Sequence, residues 1–221
     1  IGTGTITGRW TQSTHDASFS DDGESCVYSL TPNTYTVGHT CVFTPILVDV
    51  AGDGFRLTDR SNGVVFDIKA NGSPAQTAWT APGSDDAFLV LDRNGNGLIE
   101  DSTELFGNFT PQPKIFEPNG FAALAEYDKP GNGGNNDGVI DANDAVYSSL
   151  RLWQDINHNG VSEWDELHTL PELSVGSISL DYKVSRRQDS YGNQFRYRGK
   201  VYGLNPYGAE RWAFDVIFTS K

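Results

Sequence analysis

One unit recurs through the middle of the chain and constrains it more than any other feature: an Asp, four mostly small or polar residues, then Gly. It stands at 49–54, 67–72, 92–97 and 155–160, and in expanded form between 128 and 138. The spacing matches the cation loop Asp-x-[Asp/Asn]-x-[Asp/Asn]-Gly-x5-Glu. Ca²⁺ takes roughly six to eight hard oxygen ligands at about 2.3–2.6 Å. Short Asp and Asn side chains at alternate positions can converge on one point only if the backbone turns sharply. Gly at the sixth position permits that turn, and a carbonyl at the seventh with a later carboxylate completes the shell.

The copies differ in completeness. The loop at 155–166 has Asp155, Asn157 and Asn159 at the first, third and fifth positions, Val161 for its carbonyl, Glu163 acting directly or through water, and Glu166 at the twelfth. The loop beginning Asp92, Asn94, Asn96 offers the Leu98 carbonyl, but Glu104 falls one residue late, so either the loop is one residue longer and Glu104 closes it, or Glu100 or Asp101 substitutes. In the expanded copy Gly133 occupies the first position, so Asp128 must reach across the insertion to join Asn135, Asp137, Val139, Asp141 and Asp144. The first two copies are weaker candidates. Asp49 and Asp53 lack a third-position ligand because Ala51 stands there, and Asp67 and Asn71 flank Lys69, a cation where a cation should bind.

Asn-Gly and Asp-Gly are also strong hairpin signals, and any single copy could be only a turn. A turn does not explain ligand residues at the first and third positions together with a carboxylate after the Gly in the three good copies. Mg²⁺ fits less well, because it keeps its waters and has little need of an all-protein cage. Asn at third and fifth positions lowers the charge of the shell and points to weak sites, about 10⁻⁴–10⁻³ M. The metal-free chain is expected to be loose or partly unfolded.

Around the loops the pattern is mixed. Residues 1–44 alternate apolar and polar and read as short strands; Cys26 and Cys41, with no metal-ligand spacing, read as a disulfide, the alternative being two unpaired thiols. Apolar strands are expected at 46–48, 64–66 and 87–91, helices over 121–127, 142–150 and 164–170, and strands again at 177–183, 194–201 and 212–218. The expected fold class is α+β: short antiparallel strands flanking a middle of EF-hand-like calcium loops and short helices. Its divisions are a β-rich segment 1–44, a calcium module 45–183 and C-terminal strands 184–221 packing on the module.

Several strings together are more specific than the loops: Thr77-Ala-Trp79, Asp86-Ala-Phe-Leu-Val-Leu-Asp92, Glu104-Leu-Phe-Gly107, Asn119-Gly-Phe-Ala-Ala-Leu124 and Leu150-Arg-Leu-Trp-Gln-Asp155. Over residues 45–183 this run resembles the EF-hand-rich calcium module of secreted RTX and hemolysin-type bacterial proteins. It is similar to the calcium-triggered self-processing module of the iron-regulated members. The resemblance implies a module that calcium folds and that promotes cleavage of an Asp-Pro bond upstream. None of the 10 prolines follows Asp, so a scissile bond would lie before Ile1 in a longer precursor, of which a chain without Met is expected to be a processed or excised piece.

Other functions have less support. A balance of 16 Lys and Arg against 29 Asp and Glu, net −13, argues against nucleic acid as partner, and no apolar run is long enough to span a bilayer. His15, His39, His158 and His168 form no zinc motif. Asp85-Asp86 and Glu100-Asp101 read as turn or metal-shell residues before acid–base catalysts, and Trp79, Trp153, Trp164 and Trp212 as core before a glycan platform. No catalytic residue is expected. The implied partners are calcium ions and the rest of a larger parent chain or neighbouring subunits of a surface assembly, in an extracellular setting.

Overall fold

The computed structural model describes residues 17–21, 26–30, 43–113, 115, 117–205 and 211–219. The chain divides into two compact units, Ile1–Cys41 and Val42–Lys221. In the first, β1 (Ala17–Asp21) and β2 (Cys26–Leu30) pair antiparallel. Cys41 lies outside the described residues, as do His15 and His39, so the expected pairing of Cys26 with Cys41 stays an expectation.

The second unit is built on one sheet. Its strands are β3 (Ile46–Val48), β6 (Ala87–Val90), β7 (Val139–Ile140), β8 (Arg151–Trp153), β9 (Leu167–His168), β10 (Val175–Ser179), β11 (Lys183–Gln188), β12 (Gln194–Gly203) and β13 (Arg211–Ile217). They run in the order β7-β10-β12-β13-β3-β6-β8-β9, with β11 also on β12, every pairing antiparallel, and the sheet forms a half-barrel. A separate ribbon joins β4 (Val64–Phe66) to β5 (Ala75–Thr77).

The central strands are apolar at every position because both faces of the sheet are covered. Ile46, Val48, Ala87 and Leu89 enter one core cluster with Phe106, Phe121 and Leu124. Leu47, Phe88 and Val90 point the other way, into a second cluster with Phe66, Trp79, Trp153 and Phe214. Trp79 lies 4.3 Å from Phe88 and 5.5 Å from Trp153 between ring centroids. Trp79 and Trp153 are thus core, while Trp164 is 87% exposed.

The α+β expectation is wrong. Helix among the described residues is confined to α1 (Gly120–Leu124) and single 3-10 turns at Pro130–Asn132 and Pro171–Leu173, and no helix pair flanks any loop. Residues 142–150 have apolar residues at helical spacing but form turns. The Asp144 carboxylate takes the amides of Asn135 and Asp141, and local side-chain acceptors of this kind compete with helix formation. Residues 164–170 turn and then supply β9, which pairs with β8. Runs this short gain too few helical bonds to offset nucleation, so a partner strand wins.

Candidate metal centres

Each Asp-x4-Gly copy has the same backbone device. The first-position Asp accepts the amide of the sixth-position Gly: Asp49 from Gly54 at 3.0 Å, Asp67 from Gly72 at 2.6 Å, Asp92 from Gly97 at 2.8 Å, Asp128 from Gly138 at 3.0 Å and Asp155 from Gly160 at 2.9 Å. All these glycines have φ between +72° and +101°, the left-handed region, where Gly is the default residue. Asp128 reaches across the insertion to accept the amides of Asp137 and Gly138. Gly134 makes this possible, since a Cβ there would lie 2.1 Å from the Asp128 carbonyl carbon.

The three complete copies continue alike. The third-position oxygen takes the fifth amide, and the fifth-position oxygen takes the seventh: Asn94, Asn135 and Asn157, then Asn96, Asp137 and Asn159. These side chains curl inward along the loop, and the seventh residues are Leu98, Val139 and Val161. A buried carboxylate then closes each loop. Glu166 accepts the amides of Ile156 and Asn157 at 3.0 and 3.3 Å, and Asp144 those of Asn135 and Asp141. Glu104 accepts those of Arg93 and Glu100, both at 3.0 Å. Glu104 therefore occupies the closing place despite its late position, whereas Asp101 caps Thr103 and Glu100 accepts from the Asn96 side-chain Nδ2. In the 67–72 copy Asn71 accepts from Ser73, but no closing carboxylate follows; Asp53 of the first copy is exposed.

The donor set suits a hard cation, being all oxygen. Burial raises Asp144, and burial then contact with Glu163 raises Glu166, while the Asn159 amide lowers Glu163. Glu163 Oε2 is enclosed without a hydrogen-bond donor, the condition a bound cation would relieve. Trp153 Nε1 donates to Glu166 at 3.3 Å, which places an indole against the closing carboxylate. The 92 and 155 loops also touch at their eighth residues: Ile99 N–H donates to Ser162 Oγ at 2.7 Å. His158 points away from its loop, Nε2 lying 2.8 Å from the Asn62 carbonyl.

The sequence pattern did not bring Asp85 and Asp86 to the first loop. Asp49, Asp85 and Asp86 each place a carboxylate oxygen within 4.8 Å of the others. Burial, with Asp85 and Asp49 as minor causes, pushes the Asp86 carboxyl up to about 7. The only signal in the sequence was the adjacent acidic pair, which does not reveal its neighbour.

Among the described residues no helix is long and apolar enough to cross a membrane. The chain is 38% identical over 161 residues to the iron-regulated protein FrpA of Neisseria meningitidis serogroup C, an alignment covering 72% of this chain and 14% of that relative. The chain thus corresponds to a small part of a much longer protein. The SPM domain model matches residues 46–219, the whole half-barrel with all five loops, and the chain belongs to the SPM domain family.

Proposed function

We propose that this chain is a calcium-stabilised structural module of a larger secreted or cell-surface protein, with ions in the loops closed by Glu104, Asp144 and Glu166. The observation that carries this reading is the closing carboxylate. Three loops of different length each end with a buried acid turned back onto the loop's own amides, although burying a carboxylate is costly. Each site held at about 100 times its dissociation constant adds about 2.7 kcal/mol. Three would add about 8 kcal/mol, against about 5–15 kcal/mol for a whole domain. Thermal unfolding followed by tryptophan fluorescence, in chelator and in calcium at about 100 times the expected dissociation constant, roughly 10–100 mM, tests it; a large upward shift in calcium is expected, and an unchanged Tm refutes it.

Family membership favours a second reading, calcium-triggered self-processing. The module would act on an Asp-Pro bond outside this sequence. Appending an upstream Asp-Pro segment and adding calcium should release it; an intact product refutes this reading and leaves the structural one standing.

A further inference from the structure

We propose that Asp49, Asp85 and Asp86 form a fourth divalent-cation site, assembled from two distant segments, in which Asp85 and Asp86 replace the ligands that the first loop lacks. The proposal extends the calcium reading above to a loop that is incomplete by sequence. That loop has Ala51 at the third position and Arg60 at the twelfth, where the complete copies carry Asn at the third and a closing acid at the twelfth or one residue later. Its backbone is nevertheless that of the complete copies, with Asp49 accepting from Gly52 at 2.7 Å and Gly54 at 3.0 Å.

Sheet register supplies the missing groups. Val48 on β3 pairs with Ala87 on β6 in antiparallel register, so the next residues outward, Asp49 and Asp86, oppose each other. Asp85 Oδ2 accepts the amide of Ala51 at 2.7 Å. The third-position amide is the one that Glu166 takes from Asn157 and Asp144 from Asn135. Asp85 thus holds the closing carboxylate's place from 34 residues further along the chain. Asp86 Oδ2 accepts from Arg56 N–H at 2.7 Å and Ser84 Oγ at 2.6 Å, while its Oδ1 is buried with no hydrogen-bond partner.

Asp86 is 0% exposed, and like charges directly opposite across a sheet repel. Two cations stand nearby and neither resolves this. Arg56 is half-exposed, 3.5 Å from Asp85, and Arg211 spends its donors on the carbonyls of Val50, Leu173 and Ser174. Oxygens within 4.8 Å of one another can share one Ca²⁺, whose bonds of about 2.3–2.6 Å place its ligands up to about 5 Å apart. Water completes the shell.

The test is equilibrium dialysis of the 221-residue chain against radiolabelled calcium, counting ions per chain in the wild type and in Asp85→Asn, Asp86→Asn and Asp155→Asn. Each variant is expected to hold one ion fewer than the wild type. If Asp85→Asn and Asp86→Asn keep the wild-type count while Asp155→Asn loses one, the fourth site is overturned and the calcium reading stands. No bound calcium in the wild type overturns both. Should Asp86→Asn fail to fold, Asp85→Asn, whose side chain is 26% exposed, decides alone.

Discussion

Glu166→Gln separates the ion from the loop that would hold it. The side chain keeps its volume, and its carbonyl oxygen can still accept from Ile156 and Asn157, while the charge is lost and the new NH2, standing where Oε2 was, can no longer accept the Trp153 indole N–H. In chelator two effects oppose. Hydrogen bonds to a charged acceptor exceed neutral ones by roughly 1 kcal/mol, but the carboxyl being replaced is raised by burial and by Glu163, so its loss relieves repulsion. Leaving the buried Trp153 indole N–H without its acceptor adds a cost of about 1–3 kcal/mol, so the chelator Tm should fall by up to about 6–12 °C, at about 2–4 °C per kcal/mol in a domain of this size. In calcium the variant forfeits that site, about 2.7 kcal/mol at 100 times its dissociation constant, or about 5–11 °C. The calcium-induced rise in Tm should shrink by that amount, and quenching of Trp153, which donates to Glu166, should lose one calcium-dependent component. Tryptophan fluorescence during heating reads both. An undiminished calcium-induced rise would refute Glu166 as a ligand.

Ser162→Ala leaves the Ile99 amide, on a residue 3% exposed, without its acceptor and should cost about 1–3 kcal/mol in urea midpoints measured in chelator. Gly134→Ala drives a methyl into the Asp128 backbone and should remove one calcium per chain, the others staying. Asp67→Ala frees the amides of Asn71 and Gly72 and should lower Tm equally in chelator and calcium, since that loop has no closing acid; a calcium-dependent loss contradicts this. Burial, against the opposing pull of Arg196 and the Gly120 amide, raises Asp215 to about 6; the folded state then holds a proton that the unfolded chain, near 3.8, has released. Its stabilisation is present below about pH 4 and lost as pH rises through 6, so Asp215→Asn should gain on the wild type across that window in urea midpoints measured in chelator.

What could be read in the sequence was what is local. The strands at 46–48, 64–66 and 87–90 followed from short apolar runs, and the Asp-to-Gly turns at 92–97 and 155–160 from spacing, because an Asx-type turn is closed within six residues. Helices over 142–150 and 164–170 did not form, because what decides there is non-local: Asp144 belongs to a loop that begins at Asp128, and Leu167 has a partner waiting on β8. Glu104 was ambiguous for the same reason. Counting placed it one residue late, and only folded geometry puts its oxygens on the amides of Arg93 and Glu100. Asp85 was further out of reach, since its target amide at Ala51 is set by the register between β3 and β6.

The five loops also separate two signals that the motif merges. The Asp at the first position and the Gly at the sixth make the same bond in copies with and without a complete ligand set, at 67–72 as at 155–160. On the proposed calcium reading, that pair encodes the turn common to all five copies rather than the ion site itself. The cation signal lies elsewhere, in the third and fifth oxygens and above all in the buried acid that closes the loop. On the proposed calcium reading, the 67–72 copy, with Lys69 in the third place, serves as a turn. The 49–54 copy, judged by its own six residues, would be one too. It is set apart only by Asp85 and Asp86, which the sheet delivers to the place a closing acid takes elsewhere, so whether a degenerate loop holds an ion depends on what the fold sets opposite it.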